Sequence, residues 1–269
     1  MTPRILVVGG GYVGLYTALR LGRKLRDGEA TVTVVDPRSY MTYQPFLPEA
    51  GAGSIQPRHT VVPLRQTLRR TDVVTGWVDR IDHARKVAYV RPLAGEEYEI
   101  PYDVLVMAVG SVARTLPIPG LAEWASGFKN VEEAIRLRNK GLEALDIAEG
   151  ATDPEVRERA LTFVFVGGGF AGVEAMAELE DLLRYATRYL HRVQPSDLRF
   201  VLVEASDRIL PEVGEEMGRW TVEALRERGI DVRLSTRLES TVGGVVELSD
   251  GTTRSEERRV GKECVQPCR

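Results

Sequence analysis

The sequence predicts an α/β protein built from two parallel-sheet halves that share one plan, and three observations carry that prediction. Short β-branched runs alternate with longer amphipathic stretches: ILVVGG, GLYTALRLGRKLR and TVTVVD read as strand, helix, strand. A right-handed parallel βαβ unit is the expected product. The same order recurs in LTFVFVGGG, GVEAMAELEDLLRYATRYLHRV and LRFVLVEA, an internal duplication. In both copies a run of three glycines sits where the strand ends and the helix begins.

Between the two copies, TDVVTGWVDRIDHARKVAYVRP and EYEIPYDVLVMAVG alternate apolar and polar residues between turn signals. The expected result is an antiparallel excursion that returns to a buried strand. The stretch LPIPGLAEWASGFK, rich in Pro and Gly, is expected to be a linker. After it, VEEAIRLRNKGLEALDIAEG reads as an exposed connecting helix whose charges serve solvation.

Composition narrows the function classes. With 269 residues, 43% hydrophobic and 28% charged, the chain has the make-up of a globular protein with one large or two ordinary domains. A net charge of −3 and the lack of a basic stripe with interleaved aromatics argue against a nucleic-acid partner. Arg65, Arg69 and Arg70 read as a solvated helix face. The opening MTPRILVVGGG is too short an apolar run for a signal peptide, and no run approaches the roughly 18 apolar residues of a membrane span. Residues 1–253 contain no cysteine, so disulfides and redox dithiols are excluded from that body. His59, His83 and His191 are scattered without ligand spacing, and no metal is assigned.

Gly9-Gly10-Gly11-Tyr12-Val13-Gly14 fits G-x-G-x-x-G directly after a predicted strand and at the head of a predicted helix. Gly9 permits the tight turn, Gly11 lets backbone approach a pyrophosphate, and Gly14 lets helix and strand pack closely. The helix N-terminus offers N–H groups and partial positive charge to the phosphates. Asp36 ends TVTVVD, 22 residues after Gly14, where a carboxylate accepts from ribose hydroxyls. A glycine turn serving structure alone is the alternative.

Gly167-Gly168-Gly169-Phe170-Ala171-Gly172 repeats the pattern, and Glu204 ends the next strand, 32 residues after Gly172. That interval exceeds the usual one of about 20 because helix and loop are extended. A carboxylate at Glu204 bonds a ribose diol and repels a 2′-phosphate, favouring NAD over NADP, with Arg208 nearby to soften the preference. Glu174, two residues past Gly172, has two open readings. It is either a carboxylate placed favourably at a helix N-terminus or a group facing the nicotinamide and a flavin.

Two such turns, an antiparallel excursion between them and YDVLVMAVGS resemble the two-dinucleotide-binding-domain flavoproteins of the pyridine nucleotide-disulfide oxidoreductase superfamily. The resemblance covers nearly all of residues 1–253. It implies two Rossmann-like domains, an FAD domain with an inserted NAD domain, truncated at the C-terminus. Residues 1–118 would be the first part of the FAD domain, 119–159 a linker and connecting helix, and 160–253 an incomplete NAD(H) domain. It also implies FAD on the first turn, NAD(P)H on the second, and a flavin-side crossing at Val106–Gly110 that includes Ala108 and Gly110.

Within that group, PRSYMTYQPFLPEAGAGSIQPRH is similar to the segment after the FAD acid in type II NADH:quinone oxidoreductases. The likeness implies that Gln44 and Pro45 line the flavin, that Pro37 and Arg38 join the FAD contacts, and that Val78 meets the adenine through its backbone. A Pro-containing loop packed on the sheet is the plain alternative. Relatives that reduce disulfides or oxidise sulfide use cysteines beside the flavin, and this body has none. The implied activity is hydride transfer from NADH to FAD, then electron delivery to a quinone in the respiratory chain, with Glu174 as candidate catalytic residue. An NAD(P)H-dependent reductase of rubredoxin or ferredoxin type, and a non-catalytic flavin- or nucleotide-binding protein, stay open. The resemblance further implies a homodimer held peripherally on the cytoplasmic face of the cell membrane through a C-terminal region absent here.

The last stretch, RSEERRVGKECVQPCR, has no hydrophobic pattern and holds both cysteines, Cys264 and Cys268. RSEERRVGKEC resembles the in-frame translation of a common short-read sequencing adapter, so residues 254–269 are expected to be non-native. A natural charged tail and a metal site on the two cysteines are the alternatives; C-x-x-x-C without a neighbouring histidine is a poor zinc site. A chain ending there should be unstable or flavin-poor, because strand edges and apolar surface lack their cover.

Overall fold

The computed structural model describes residues 2–112, 116–251, 253–255 and 260–262. The chain forms two compact units, Met1–Tyr43 with Arg58–Ser111, and Gln44–Pro57 with Val112–Arg269.

In the first unit, β1 (Arg4–Val8) runs into α1 (Tyr12–Lys24) and then β2 (Thr31–Asp36), parallel to β1 with Val7 opposite Val34. Gly11 caps α1 in extended conformation, and Arg23 and Lys24 occupy its last turn, where the helix dipole favours cations. A short ribbon follows, β3 (Tyr40–Thr42), from which the chain departs through α2 (Leu47–Ala52) of the other unit before returning as β4 (Val61–Pro63). After α3 (Leu64–Thr67) come β5 (Asp72–Asp82), β6 (Val87–Pro92) and β7 (Tyr98–Pro101), an antiparallel meander, and β8 (Val104–Met107). The sheet order is β7-β6-β5-β2-β1-β8.

Strand period two gives this sheet two apolar faces. Val7, Val32 and Val34 pack with Leu15, Ala18, Leu64 and Leu68 on one; Leu6, Val8 and Val35 pack with Ala88, Val90 and Tyr102 on the other. The antiparallel excursion is present as expected. The returning strand is corrected: β8 is the edge of the sheet, and Val104 (50% exposed) and Met107 (54%) face solvent.

The second unit continues through α4 (Leu121–Trp124), β9 (Ser126–Gly127), α5 (Val131–Gly150) and α6 (Pro154–Ala160). Then β10 (Thr162–Val166), α7 (Phe170–Ala186) and β11 (Arg199–Val203) repeat the strand-helix-strand plan, Phe163 opposite Phe200 with rings stacked 4.9 Å apart. After α8 (Glu215–Glu227) and β12 (Asp231–Arg233), a separate antiparallel sheet holds β13 (Leu238–Ser240), β14 (Val245–Leu248) and β15 (Thr253–Ser255). Finally β16 (Val260–Lys262) lies between β10 and β9 in the parallel sheet β12-β11-β10-β16-β9. The stretch expected to be non-native thus supplies two short strands, for which pairing uses only the backbone N–H and C=O groups that almost any residue carries. Cys264 and Cys268 lie outside the described residues.

Two readings of the connecting region are corrected. Leu116, Ile118, Leu121 and Ala125, from the Pro- and Gly-rich stretch, pack against Val164, Val201, Val203, Leu238 and Val246. The helix expected to be exposed, α5, starts from an Asn130/Glu133 capping box and buries Val131, Ala134, Leu137, Gly141, Ala144, Leu145 and Ala148. Gly141 explains the closeness, since a Cβ there would stand 3.1 Å from Leu179 and Leu183 of α7. Opposite, Glu180 of α7 is buried between Arg184 and Arg228, and Arg228 also reaches Asp181.

Candidate functional site

The two glycine turns have the same construction. Gly9 has φ +104°, open to glycine, and a Cβ there would lie 2.2 Å from the carbonyl oxygen of Ala108. That close approach places Ala108 against the turn, and Ala108 N–H in turn donates to the Val8 carbonyl at 2.8 Å. At Gly14 a Cβ would sit 1.8 Å from the Gly9 carbonyl oxygen. In the second turn Gly167 has φ +112°, and a Cβ at Gly172 would stand 2.2 Å from its carbonyl oxygen. The middle glycines differ: nothing lies within 4 Å of a Cβ built on Gly11 or Gly169. Each of these two caps its helix without a side-chain hydrogen bond and with no acid in the first turn. Open backbone at an uncapped helix N-terminus fits a pyrophosphate at either turn.

The acids close each turn. Asp36 Oδ2 accepts from Gly10 N–H at 2.6 Å and Oδ1 from Arg38 N–H at 2.7 Å. Glu204 Oε2 accepts from Gly168 N–H at 2.7 Å and Oε1 from Ser206 N–H at 2.7 Å. A carboxylate oxygen has two lone pairs, so each acid can brace its turn and still accept from a ribose hydroxyl. Gly10 and Gly168 occupy a variable position of the G-x-G-x-x-G pattern. Both meet an apolar wall, a built Cβ lying 2.5 Å from Leu64 and from Ile209 respectively. The triple glycine shared by the two copies was the available signal.

The other expected contacts are distributed. Tyr12 and Val13 open α1 beside the first turn, and the Tyr12 and Tyr43 rings stand 6.1 Å apart. Pro37 and Arg38 follow Asp36 directly; Gly110, with φ +65°, follows the Ala108 crossing. Val78 lies in β5 opposite Val90, where the register shifts at Asp79. These belong to the first unit, whereas Gln44 and Pro45 begin the segment packed into the second, and the Gln44 side-chain amide donates to the Lys129 carbonyl at 3.2 Å. Arg208 donates to the Pro211 carbonyl of its own loop at 3.1 Å, and Ala171 is the second residue of α7.

Glu174 is the fifth residue of α7, past the first turn in which the helix dipole acts. A dipole would lower its pKa. Instead the carboxyl is held above the ordinary glutamate range by burial, then by Glu49, then by Glu178. Glu178 is raised in the same direction by burial, Glu49 and Asp181, with Arg228 opposing. The carboxyl thus keeps its proton to higher pH than usual. Glu49, which the sequence pattern leaves unassigned, has its Oε2 buried with no hydrogen-bond partner among the described residues. No grouping of His, Cys, Asp or Glu suited to a metal ion occurs among the described residues.

Comparison with known proteins agrees with this plan. The chain is 30% identical over 257 residues to the type II NADH:quinone oxidoreductase Ndh of Mycobacterium tuberculosis, covering 93% of the chain and 54% of that protein. It is 30% identical over 271 residues to the mitochondrial external alternative NADH-ubiquinone oxidoreductase of Yarrowia lipolytica, covering 96% and 46%. The structure of NDH2 from Plasmodium falciparum in complex with NADH shares the fold, with TM-score 0.90 at 20% identity over 98% of the chain and 55% of that one. The chain spans about half the length of these relatives. The family model described as pyridine nucleotide-disulphide oxidoreductase matches residues 3–265, and with both glycine turns and their acids in place, the chain belongs to that family.

Proposed function

We propose that this chain is the dinucleotide-binding portion of an NADH:quinone oxidoreductase. The observation that carries the reading is the duplicated turn: open backbone at Gly11 and Gly169, each braced by a strand-end acid. In this reading the first turn, with Asp36, Pro37, Arg38, Val78, Ala108 and Gly110, holds FAD, joined by Gln44 and Pro45. The second, with Ala171 and Glu204, holds NADH. When bound there, FAD would supply the redox chemistry between NADH and a quinone. The chain's own contribution is positioning: helix N-termini neutralise pyrophosphate, and Asp36 and Glu204 orient the riboses. Glu174, holding its proton to higher pH, serves as a proton-exchanging group on the nicotinamide side.

Residues 1–118 then act as the first part of an FAD module and 160–253 as an NAD(H) module, with 119–159 packed into the second unit and 254–269 read as non-native. Quinone use is supported by the names of the relatives and by a body without cysteine. No helix among the described residues is long and apolar enough to cross a membrane. Peripheral attachment at the cytoplasmic face and a homodimer rest on the resemblance to type II enzymes. The test is anaerobic reduction by NADH of the FAD-loaded gene product at the length of its relatives, followed by a short-chain ubiquinone, rubredoxin or ferredoxin. Turnover on the quinone is expected. Bleaching by NADH without quinone turnover would overturn the assignment.

A further inference from the structure

Within the second unit, Gly168 is held at its N–H, its carbonyl and its Cα. The N–H donates to Glu204, and the carbonyl accepts from Leu210 N–H at 2.7 Å. The Cα stands against the fully buried Ile209, so closely that no side chain fits between them. The loop that carries Ile209 and Leu210 is itself fixed: Arg208 donates to the Pro211 carbonyl, Ser235 N–H to the Ser206 carbonyl, and Val213 N–H to the Leu210 carbonyl. Leu210 makes its bond from the left-handed region, with φ +50°, which a leucine rarely adopts, and its side chain is buried.

A trans peptide points its C=O and N–H in opposite directions. With the Gly168 carbonyl turned to Leu210, the Gly169 N–H is aimed away from that loop, and it donates to no group among the described residues. Backbone at Gly169 is open, a Cβ there meeting nothing within 4 Å. The first turn lacks this clasp: Gly10 N–H donates to Asp36, but the Gly10 carbonyl accepts no backbone hydrogen bond among the described residues. Two turns of like construction differ at this bond.

We propose that Leu210 is a positioning residue for the second nucleotide: its N–H fixes the Gly168–Gly169 peptide so that the Gly169 N–H meets the pyrophosphate without a peptide rotation. This rests on the proposed function, in which the second turn takes NADH. A nicotinamide nucleotide that delivers hydride enters and leaves in every cycle, whereas the ligand of the first turn stays. Ordering a glycine turn afresh at each encounter would weaken binding each time, and a clasp formed beforehand removes that penalty. Glycines at 168 and 169 make the turn permissive; the strained Leu210 restricts it to one orientation.

The test replaces Leu210 in the full 269-residue chain by its α-hydroxy acid, which exchanges the N–H for an oxygen and keeps the side chain. The Ile209 carbonyl, which the ester weakens as an acceptor, receives no hydrogen bond among the described residues. NADH affinity by nicotinamide fluorescence should fall about tenfold, as for the loss of one hydrogen bond. Leu210→Gly keeps the N–H and loses the buried side chain, so its urea midpoint should fall further than the ester's and its NADH affinity less. A purely structural role would move affinity and stability together. An ester that binds NADH like the wild type, or equal losses of affinity in the two variants, overturns the proposal. Should a variant fail to fold, NMR of the wild type decides. The Leu210 amide should show coupling through the hydrogen bond to the Gly168 carbonyl carbon with and without NADH, and the Gly169 amide proton should move downfield when NADH is added. Absence of that coupling in the free chain, or an unmoved Gly169 amide in the NADH complex, overturns the proposal alone. A wild type that binds no NADH overturns the nucleotide reading of the second turn and the proposal with it.

Discussion

Alanine substitutions at Gly169 and Gly172 should separate fold from ligand within a single turn. At Gly172 the new Cβ meets the Gly167 carbonyl oxygen at 2.2 Å, against 3.4 Å for ordinary contact, so helix and turn must part by about 1.2 Å. Both partners are backbone atoms, which places the cost near the top of the overpacking range, about 3 kcal/mol. Alanine's better helix propensity offsets about 1 kcal/mol of it. A net loss of about 2 kcal/mol, roughly 30-fold in the folded-to-unfolded ratio, is expected. At Gly169 the Cβ enters open space, and the backbone (φ −73°, ψ 173°) suits any residue. Stability should change by no more than about 1 kcal/mol there. In the proposed nucleotide site the methyl projects where backbone would approach a pyrophosphate, so NADH affinity should fall about tenfold or more. Urea unfolding by far-UV circular dichroism reads the first effect and nicotinamide fluorescence titration the second. Wild-type stability in Gly172→Ala, or wild-type NADH affinity in Gly169→Ala, would refute the reasoning.

Replacing Glu180 with alanine should destabilise the second unit by about 2–3 kcal/mol, less than the full cost of an orphaned buried pair because Arg228 keeps Asp181 and Arg184 keeps the Pro195 carbonyl. Glu180→Gln, which can still accept from one arginine, should lose less, and equal urea midpoints for the two variants would contradict this. Asp103 is held down to about 2 by side-chain and backbone hydrogen bonds from Arg4. Its folded value lies below the unfolded one of about 3.9, so the contribution is complete above that and disappears as pH falls towards 2. Arg4→Gln should raise the Asp103 midpoint by NMR titration and flatten the acid limb of stability; an unmoved midpoint would exclude Arg4 as the cause.

Legibility in the sequence followed the range of the interactions. Both βαβ copies and the strand-end acids could be read because a glycine turn fixes strand, loop and helix within about 30 residues. The burial of α5 could not, because Ala134, Gly141, Ala144 and Ala148 make up much of its inward face, and small residues leave no strong apolar stripe. The burial of Glu49 Oε2 was hidden in a segment read for its flavin contacts, since it follows from the packing of α2 on α5 and α7. The edge position of β8 was equally hidden: VLVM is apolar enough for an interior strand, and which side lacks a neighbour is a property of the sheet.

The loan of α2 to the second unit has a consequence for synthesis. The helix leaves the ribosome roughly 80 residues before α5 begins, and later still comes α7, against which it must also pack. At about 5–20 residues per second, five residues destined for burial wait for several seconds or longer without a surface to cover them. The first unit can pair β1 with β2 meanwhile, but the β3–β4 ribbon spans that waiting loop. Translation speed through residues 53–186 thus becomes part of the folding pathway, and a chain begun at Val112 would lack a piece of its own interior.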